Sequence, residues 1–423
     1  MRAGEKDGYD PLLPRSSTIA TVNHLFVFHH GMWGVSAHLD YIAETVVKAH
    51  KSPDVNIFPL MVKKNEIFRS YSGIRACAQR LKEEIEEEMD RLEDVMTHIS
   101  FIGYSAGGLI CRYCLGLLED NGFFEKVVPV NFFLFASPNA GIHRFLTSPH
   151  SLTNLNYQVF NWFTSKLGWL IGGKTCVEMA LQDDPEAPLV HLMSLTPFLN
   201  ILRRFKKRVV FANIFYDRAV PFESAALYAG RSPYEQFSNG INPYTAKDQH
   251  PAQYVAAEVD LSNAEEGMPA DEVANLQHAA AETPGWCTTM RSVALKLALP
   301  VLLPPLVLCV WLPLVLGVGI PVMYVLGRWH YAPNNSIPCC GAEKAARTKI
   351  SSSASSSDRG MRTREMIKRL QTAFQWSYHC WVPGFTTHGV LVARNYSRPW
   401  AWNARDAVPT IEFAVRAMQN GME

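Results

Sequence analysis

The chain has 423 residues, enough for one large α/β domain or two ordinary ones, and its 48% hydrophobic against 19% charged content can bury a sizeable core. Lys and Arg number 40 against 39 Asp and Glu, a net charge of +1, so nothing global draws the chain to nucleic acid. Nine scattered cysteines lack the paired Cys/His spacing of a zinc site, and their odd, irregular count points to reduced thiols and a cytosolic face.

Residues 1–21 are polar with no apolar run, so a flexible N-terminus without a cleavable secretory signal is expected. LFVF (25–28) predicts a strand, followed by the glycine-rich turn HHGMWG and a helix near His38 to His50. NIFPLMV (56–62) predicts a second strand. Ile74, Ala78, Leu81, Ile85, Met89 and Leu92 then recur at helical spacing through an acidic surface helix. ISFIG predicts a third strand, YSAGG a tight turn, and a helix begins at about Leu109. VVPVNFFLFASP (127–138) is an apolar run of strand length. This β-α-β-α order argues for a parallel sheet covered by helices on both faces.

Residues 142–200, rich in aromatic side chains, break the rhythm and read either as an ordinary helical insertion or as an apolar cap over a pocket. VVFANIFYD (209–217) restores a strand with a carboxylate at its end. The predicted body covers 22–255. Residues 256–290 read as an acidic mobile insertion, 291–330 as an apolar membrane-associating segment and 331–365 as a disordered Ser-rich linker. Residues 366–423 return as the C-terminal part of the body, with strand character in QWSYHCWV (375–382).

The chemistry centres on Gly103-x-Ser105-x-Gly107. A serine hydroxyl becomes a nucleophile when a base, usually a carboxylate-oriented His, takes its proton. On a strand-to-helix turn the glycines relieve crowding, and the next N–H faces the developing oxyanion. The bland reading is a structural corner whose small residues serve close packing. Cys111 and Cys114, directly after the turn, favour a helix surface over a redox motif. For a second oxyanion donor, Gly31 in FVFHHGMWG allows close backbone approach, making the Met32 N–H a candidate beside that of Ala106. His30 either shapes this loop or is itself the base.

Asp217 closes a strand, which places it better than Asp183, Asp184 or Asp248, although a loop-capping Asp is the plain alternative. The candidate bases after it are His250, His278, His330, His379 and His388. His379 sits inside a strand pattern and reads as packed, whereas His388 lies on the loop after that strand. The order Ser105, Asp217, His388 is the order an α/β-hydrolase requires.

FVFHHGMWG, FIGYSAGGLICRY, FASPNAG, RVVFANIFYDRAVPFESA and THGVLVAR together resemble the serine esterase family of α/β-hydrolases, which includes eukaryotic lipid-droplet phospholipases and monoacylglycerol lipases. The resemblance covers roughly 22–228 and 375–396. It implies an α/β-hydrolase fold, Ser105 as nucleophile, Asp217 as acid, His388 as base and His30-Gly31 in the oxyanion loop. Asn139 stands where the family often has His, which bears on the pocket wall rather than the triad.

Leu297 to Gly327 runs without a charged side chain and exceeds the roughly 20 residues that span a bilayer. Prolines 300, 304, 305, 313 and 321 argue against a buried core helix. One crossing would place His388 opposite Ser105, and two need about 40 residues. A hairpin bent near Pro313 satisfies both limits. Its flanks carry Arg291, Lys296 and Arg328, which fits both facing the cytosol. Cys339 and Cys340 read as plain thiols or as acylation sites.

The sequence thus predicts a lipid acyl-ester hydrolase on the cytosolic face of the endoplasmic reticulum or a lipid droplet. It would act on a lipid ester at a membrane or droplet surface, with no metal, no organic cofactor and no nucleic acid. Acyl transfer or thioester cleavage by the same residues, or a silent membrane-tethered scaffold, stay open at this point.

Overall fold

Aromatic and β-branched runs with both faces buried form the centre of the molecule. The computed structural model describes residues 22–92, 95–144, 152–215, 217–229, 254–261, 315–319, 321–322, 325, 337–351, 359–382, 387–398 and 401–419. Its first half alternates β1 (Val22–His29), α1 (Asp40–Ala49), β2 (Val55–Met61), α2 (Ile74–Arg91), β3 (His98–Tyr104), α3 (Ala106–Asp120) and β4 (Val128–Phe135). Then come α4 (Leu152–Met179), α5 (Leu189–Leu192), α6 (Thr196–Leu202), β5 (Lys207–Asn213), α7 (Phe222–Ala226) and β6 (Val255–Asp260). The chain closes with α8 (Gly341–Ser351), α9 (Arg359–Gln371), β7 (Trp376–Cys380) and α10 (Val408–Gln419).

The strands form one sheet in the order β2-β1-β3-β4-β5-β7-β6, parallel except for the β6–β7 pair at the edge. Side chains alternate faces along each strand. Leu25, Val27, Phe132 and Leu134 pack towards α2 and α3, and Phe26, Phe28, Phe133 and Phe135 join the core on the α1 and α10 side. Burial on both faces explains why these strands read as continuous apolar runs. Each fully buried Phe contributes roughly 1.5–3 kcal/mol. Pro59 lies on β2, an edge strand, where its missing N–H costs no ladder bond. This is the mostly parallel, helix-flanked sheet that the resemblance implies.

Several expectations need correction. The helix after the turn begins at Ala106 rather than about Leu109, because Ser105 alone makes the bend. β5 ends at Asn213, before Asp217: the Asn213 side chain accepts from the Val382 N–H and donates to the Phe215 carbonyl, ending the ladder. Cys111 and Cys114 lie in the core, not on a helix surface, and burial pushes both thiols up. The seven described cysteines are all free. Cys340 is packed against Gly116, and burial pushes its thiol up to about 11. The stretch read as a disordered linker, 331–365, contains α8 and the start of α9. Glu343 on α8 is wholly buried, accepting from Arg75, Arg347 and the Tyr113 hydroxyl. The first residues of 256–290 form β6; the rest of that insertion beyond Leu261, residues 1–21 and the Ser-rich 352–358 lie outside the described residues.

The 142–200 stretch contains α4, α5 and α6. α4 is broken at Gly173, whose φ of 56° is non-helical. There a Cβ would sit 2.7 Å from the Tyr71 carbonyl oxygen. Beyond the break, the Thr175 hydroxyl accepts from the Gly73 N–H at 3.0 Å and Glu178 accepts from the Ile74 N–H at 2.5 Å. Glu178 thereby caps the N-terminus of α2 while burial pushes its carboxyl up to about 8. The apolar stretch 297–327, expected to form a hairpin, lies outside the described residues except for 315–319, 321–322 and 325. Among the described residues no helix is long and apolar enough to cross a membrane.

Candidate active site

Parallel strands deliver loops to one edge of the sheet, the edge at their carboxyl ends. Ser105 follows β3, Asp217 follows β5 and His388 follows β7 there. Ser105 has φ 55° and ψ −132°, a backbone that few non-glycine residues adopt. It is held by donation of its N–H to the Phe135 carbonyl at 2.9 Å. The turn is possible because its neighbours are small. A Cβ on Gly103 would stand 2.6 Å from the Gly108 Cα, and one on Gly107 would run into the His29 and His30 carbonyl oxygens. A Cβ on Gly31 would lie 2.7 Å from that of Ser105.

The Ser105 hydroxyl is 2.9 Å from His388 Nε2, and His388 Nδ1 is 2.9 Å from Asp217 Oδ2. A carboxylate only accepts, so Nδ1 carries the proton and Nε2 is free to accept from the serine. Asp217 Oδ1 accepts from the N–H groups of Ala219 and Val220 at 3.0 and 2.9 Å. Its side chain is buried, while that of His388 keeps partial access to solvent. The Tyr104 ring lies 5.1 Å from the imidazole, centroid to centroid. The Phe215 carbonyl accepts from both Asn213 Nδ2 and the Thr387 hydroxyl, at 2.7 and 2.6 Å, which stitches the acid turn to the base loop. The geometry is that of a hydroxyl beside a base whose tautomer is fixed by an acid, able to transfer an acyl group through the oxygen.

The remaining positions singled out from sequence surround this line. His30 is buried and donates from Nδ1 to the Gly31 carbonyl at 2.9 Å, shaping the turn; His388 is the imidazole bonded to Ser105. Met32 follows Gly31 on that turn, and its thioether packs against Gly172 of α4. Ala106 opens α3, so its N–H has no intrahelical acceptor. His379 is packed inside β7 against Phe222 and Tyr228, and burial pushes it down to about 3. Asn139 is buried in the wall, donating to the Ala225 carbonyl at 3.2 Å and accepting at its own carbonyl from Arg112.

Sequence reading passed over a supporting chain. His29 donates from Nδ1 to the His30 carbonyl and accepts at Nε2 from Asn65 Nδ2, and Asn65 Oδ1 accepts from Arg80. Burial pushes His29 down to about 3, so it stays neutral and keeps this tautomer. The His29-His30 doublet was its only visible signal; nothing marks Asn65 or Arg80.

Residues 20–229 match the family described as "Putative serine esterase (DUF676)". Over those residues the chain belongs to this family. The serine esterase match contains Ser105 and Asp217 and ends before His388. The chain is 33% identical over 209 residues to "Putative lipase ROG1" of Saccharomyces cerevisiae, covering 48% of this chain and 28% of that protein. It is 27% identical over 291 residues to "Putative lipase C4A8.10" of Schizosaccharomyces pombe, covering 60% and 34%. The chain thus spans about a third of the length of these relatives. Among solved structures, the peroxisomal α/β-hydrolase Lpx1 of Saccharomyces cerevisiae aligns with a TM-score of 0.29 and 13% identity, over 50% of this chain and 68% of that one. Likeness at that level carries no weight, and the fold assignment of the serine esterase region rests on its own strand order.

Proposed function

We propose that this protein is a lipid acyl-ester hydrolase working through an acyl-enzyme. The observation that carries the reading is the hydrogen-bonded line Ser105–His388–Asp217 at the carboxyl edge of the sheet. Ser105 Oγ attacks the ester carbonyl as its proton passes to His388 Nε2. The oxyanion is held by the N–H groups of Met32 and Ala106. The C–O bond to the alcohol breaks, and the alcohol leaves with the proton from His388. Water then adds to the acyl-enzyme, giving its proton to His388; collapse releases the fatty acid and returns that proton to Ser105. Asp217 orients the imidazole and stabilises its cation.

A lipid substrate is supported by the relatives' names and by the surface beside the site. Val159, Trp162 and Trp169 are 57%, 59% and 45% exposed on one face of α4, and Trp33 and Ile67 are exposed by the oxyanion turn. Indole rings beside aliphatic side chains suit a membrane–water interface. The test is lipid-class profiling with purified protein: wild type should release fatty acid from acyl glycerols or phospholipids and be labelled by a fluorophosphonate. Labelling that is absent, or unchanged in Ser105→Ala, refutes the reading.

We retain the hairpin for 297–327 on topological grounds, since Ser105 and His388 share one body. Glycosylation-site tags inserted before Arg291 and after Arg328 should both stay unmodified in cells. Modification of one flank alone would establish a single crossing and exclude the hairpin.

A further inference from the structure

α4 touches the catalytic edge at two points of its longer arm, one at its end and one near its middle. Near Gly173 it lies on Met32 of the oxyanion turn. Further towards its start it meets Arg144, on the segment after β4. The Arg144 N–H donates to Asn161 Oδ1 at 2.9 Å, and Asn161 Nδ2 donates back to the Arg144 carbonyl at 2.9 Å. This reciprocal pair fixes the Arg144 backbone to the helix. Its guanidinium stacks over the Phe160 ring, 4.4 Å from the centroid. From there Nη2 donates to the Arg218 carbonyl at 2.9 Å, with the Asp217 carbonyl at 3.5 Å on the outer edge of bonding range. Arg218 is the middle of the turn whose N–H groups hold Asp217 Oδ1.

From these contacts we infer that Arg144 is a positioning residue that couples the cap helix to the acid turn, so that the seating of α4 sets the placement of Asp217 against His388. The inference rests on the serine hydrolase reading above. It adds a route by which whatever docks on the exposed face of α4 reaches the reacting groups. The carbonyl of the residue next to the acid is the contact point, so loss of the clasp acts on geometry rather than on substrate contact.

The experiment measures the rate of Ser105 phosphonylation by a soluble fluorophosphonate in the full chain. Arg144→Met keeps most of the aliphatic stem and removes the donors. It should slow labelling by about 10- to 100-fold, the scale of a small misplacement of a reacting group. Asn161→Ala should act in the same direction. In an Asp217→Asn background the Arg144→Met change should alter the rate by less than about twofold, because the two act through one element. Unchanged labelling in Arg144→Met, or equal slowing with Asp217→Asn already present, overturns the inference; general misfolding would produce the latter. Wild-type protein that neither takes the label nor cleaves any ester overturns the hydrolase reading first, and this inference with it.

Discussion

Ser105→Ala is expected to lower kcat for ester hydrolysis by about 10⁴- to 10⁶-fold, the loss seen when the nucleophile of a triad is removed. Alanine keeps the Cβ that faces Gly31, so the crowded contact between turn and elbow is preserved. The bond from the residue 105 N–H to Phe135 is also unaffected, because it uses backbone atoms only. The thermal midpoint should therefore move little while turnover collapses. Ester turnover and fluorophosphonate labelling, read beside a melting curve, check this. A variant that keeps a tenth of wild-type turnover would remove Ser105 from the chemistry.

Asp217→Asn should cost about 10⁴-fold in kcat, through the tautomer of His388. The two N–H groups at Ala219 and Val220 demand an acceptor and will hold the amide oxygen. The amide nitrogen then faces His388 Nδ1 and donates to it. Nδ1 becomes the acceptor, the ring proton moves to Nε2, and Nε2–H points at Ser105 Oγ. A base that already carries its proton on the working nitrogen cannot take another. Steady-state kinetics on a soluble ester would show the fall in kcat; activity within tenfold of wild type would mean that Asp217 does not set the tautomer.

The catalytic edge was readable because its signals are local. Small residues around Ser105, a strand before it and a helical pattern after it are neighbours in the chain. Asp217 was placed by the strand before it and His388 by the loop after a strand pattern and by chain order, and the structure sets both on one line with Ser105. What sequence could not convey are contacts between distant segments. Glu343 looks like a surface carboxylate in an Ala- and Lys-rich stretch until Arg75 and Tyr113 arrive from far up the chain. The break at Gly173 depends on where Tyr71 runs, and the Arg144 clasp joins two loops and a helix with no shared motif. The CRYC thiols were misplaced because α3 is apolar all round, and such a helix is buried on every side.

The clamp on Glu343 also fixes where the long insertion meets the body. Gly341 donates to Asp120, at the end of α3 remote from Ser105, and Leu261 donates to Gln375, just before β7 begins. The chain between Leu261 and Ile337 therefore leaves and rejoins at the edge opposite the reacting groups. Loop-closure entropy rises only with the logarithm of length, about 0.6 kcal/mol per doubling. A change in the length of the chain joining these two points therefore carries only a small thermodynamic cost. The two described attachment points thus stand a full strand length away from Ser105, at the opposite end of the sheet.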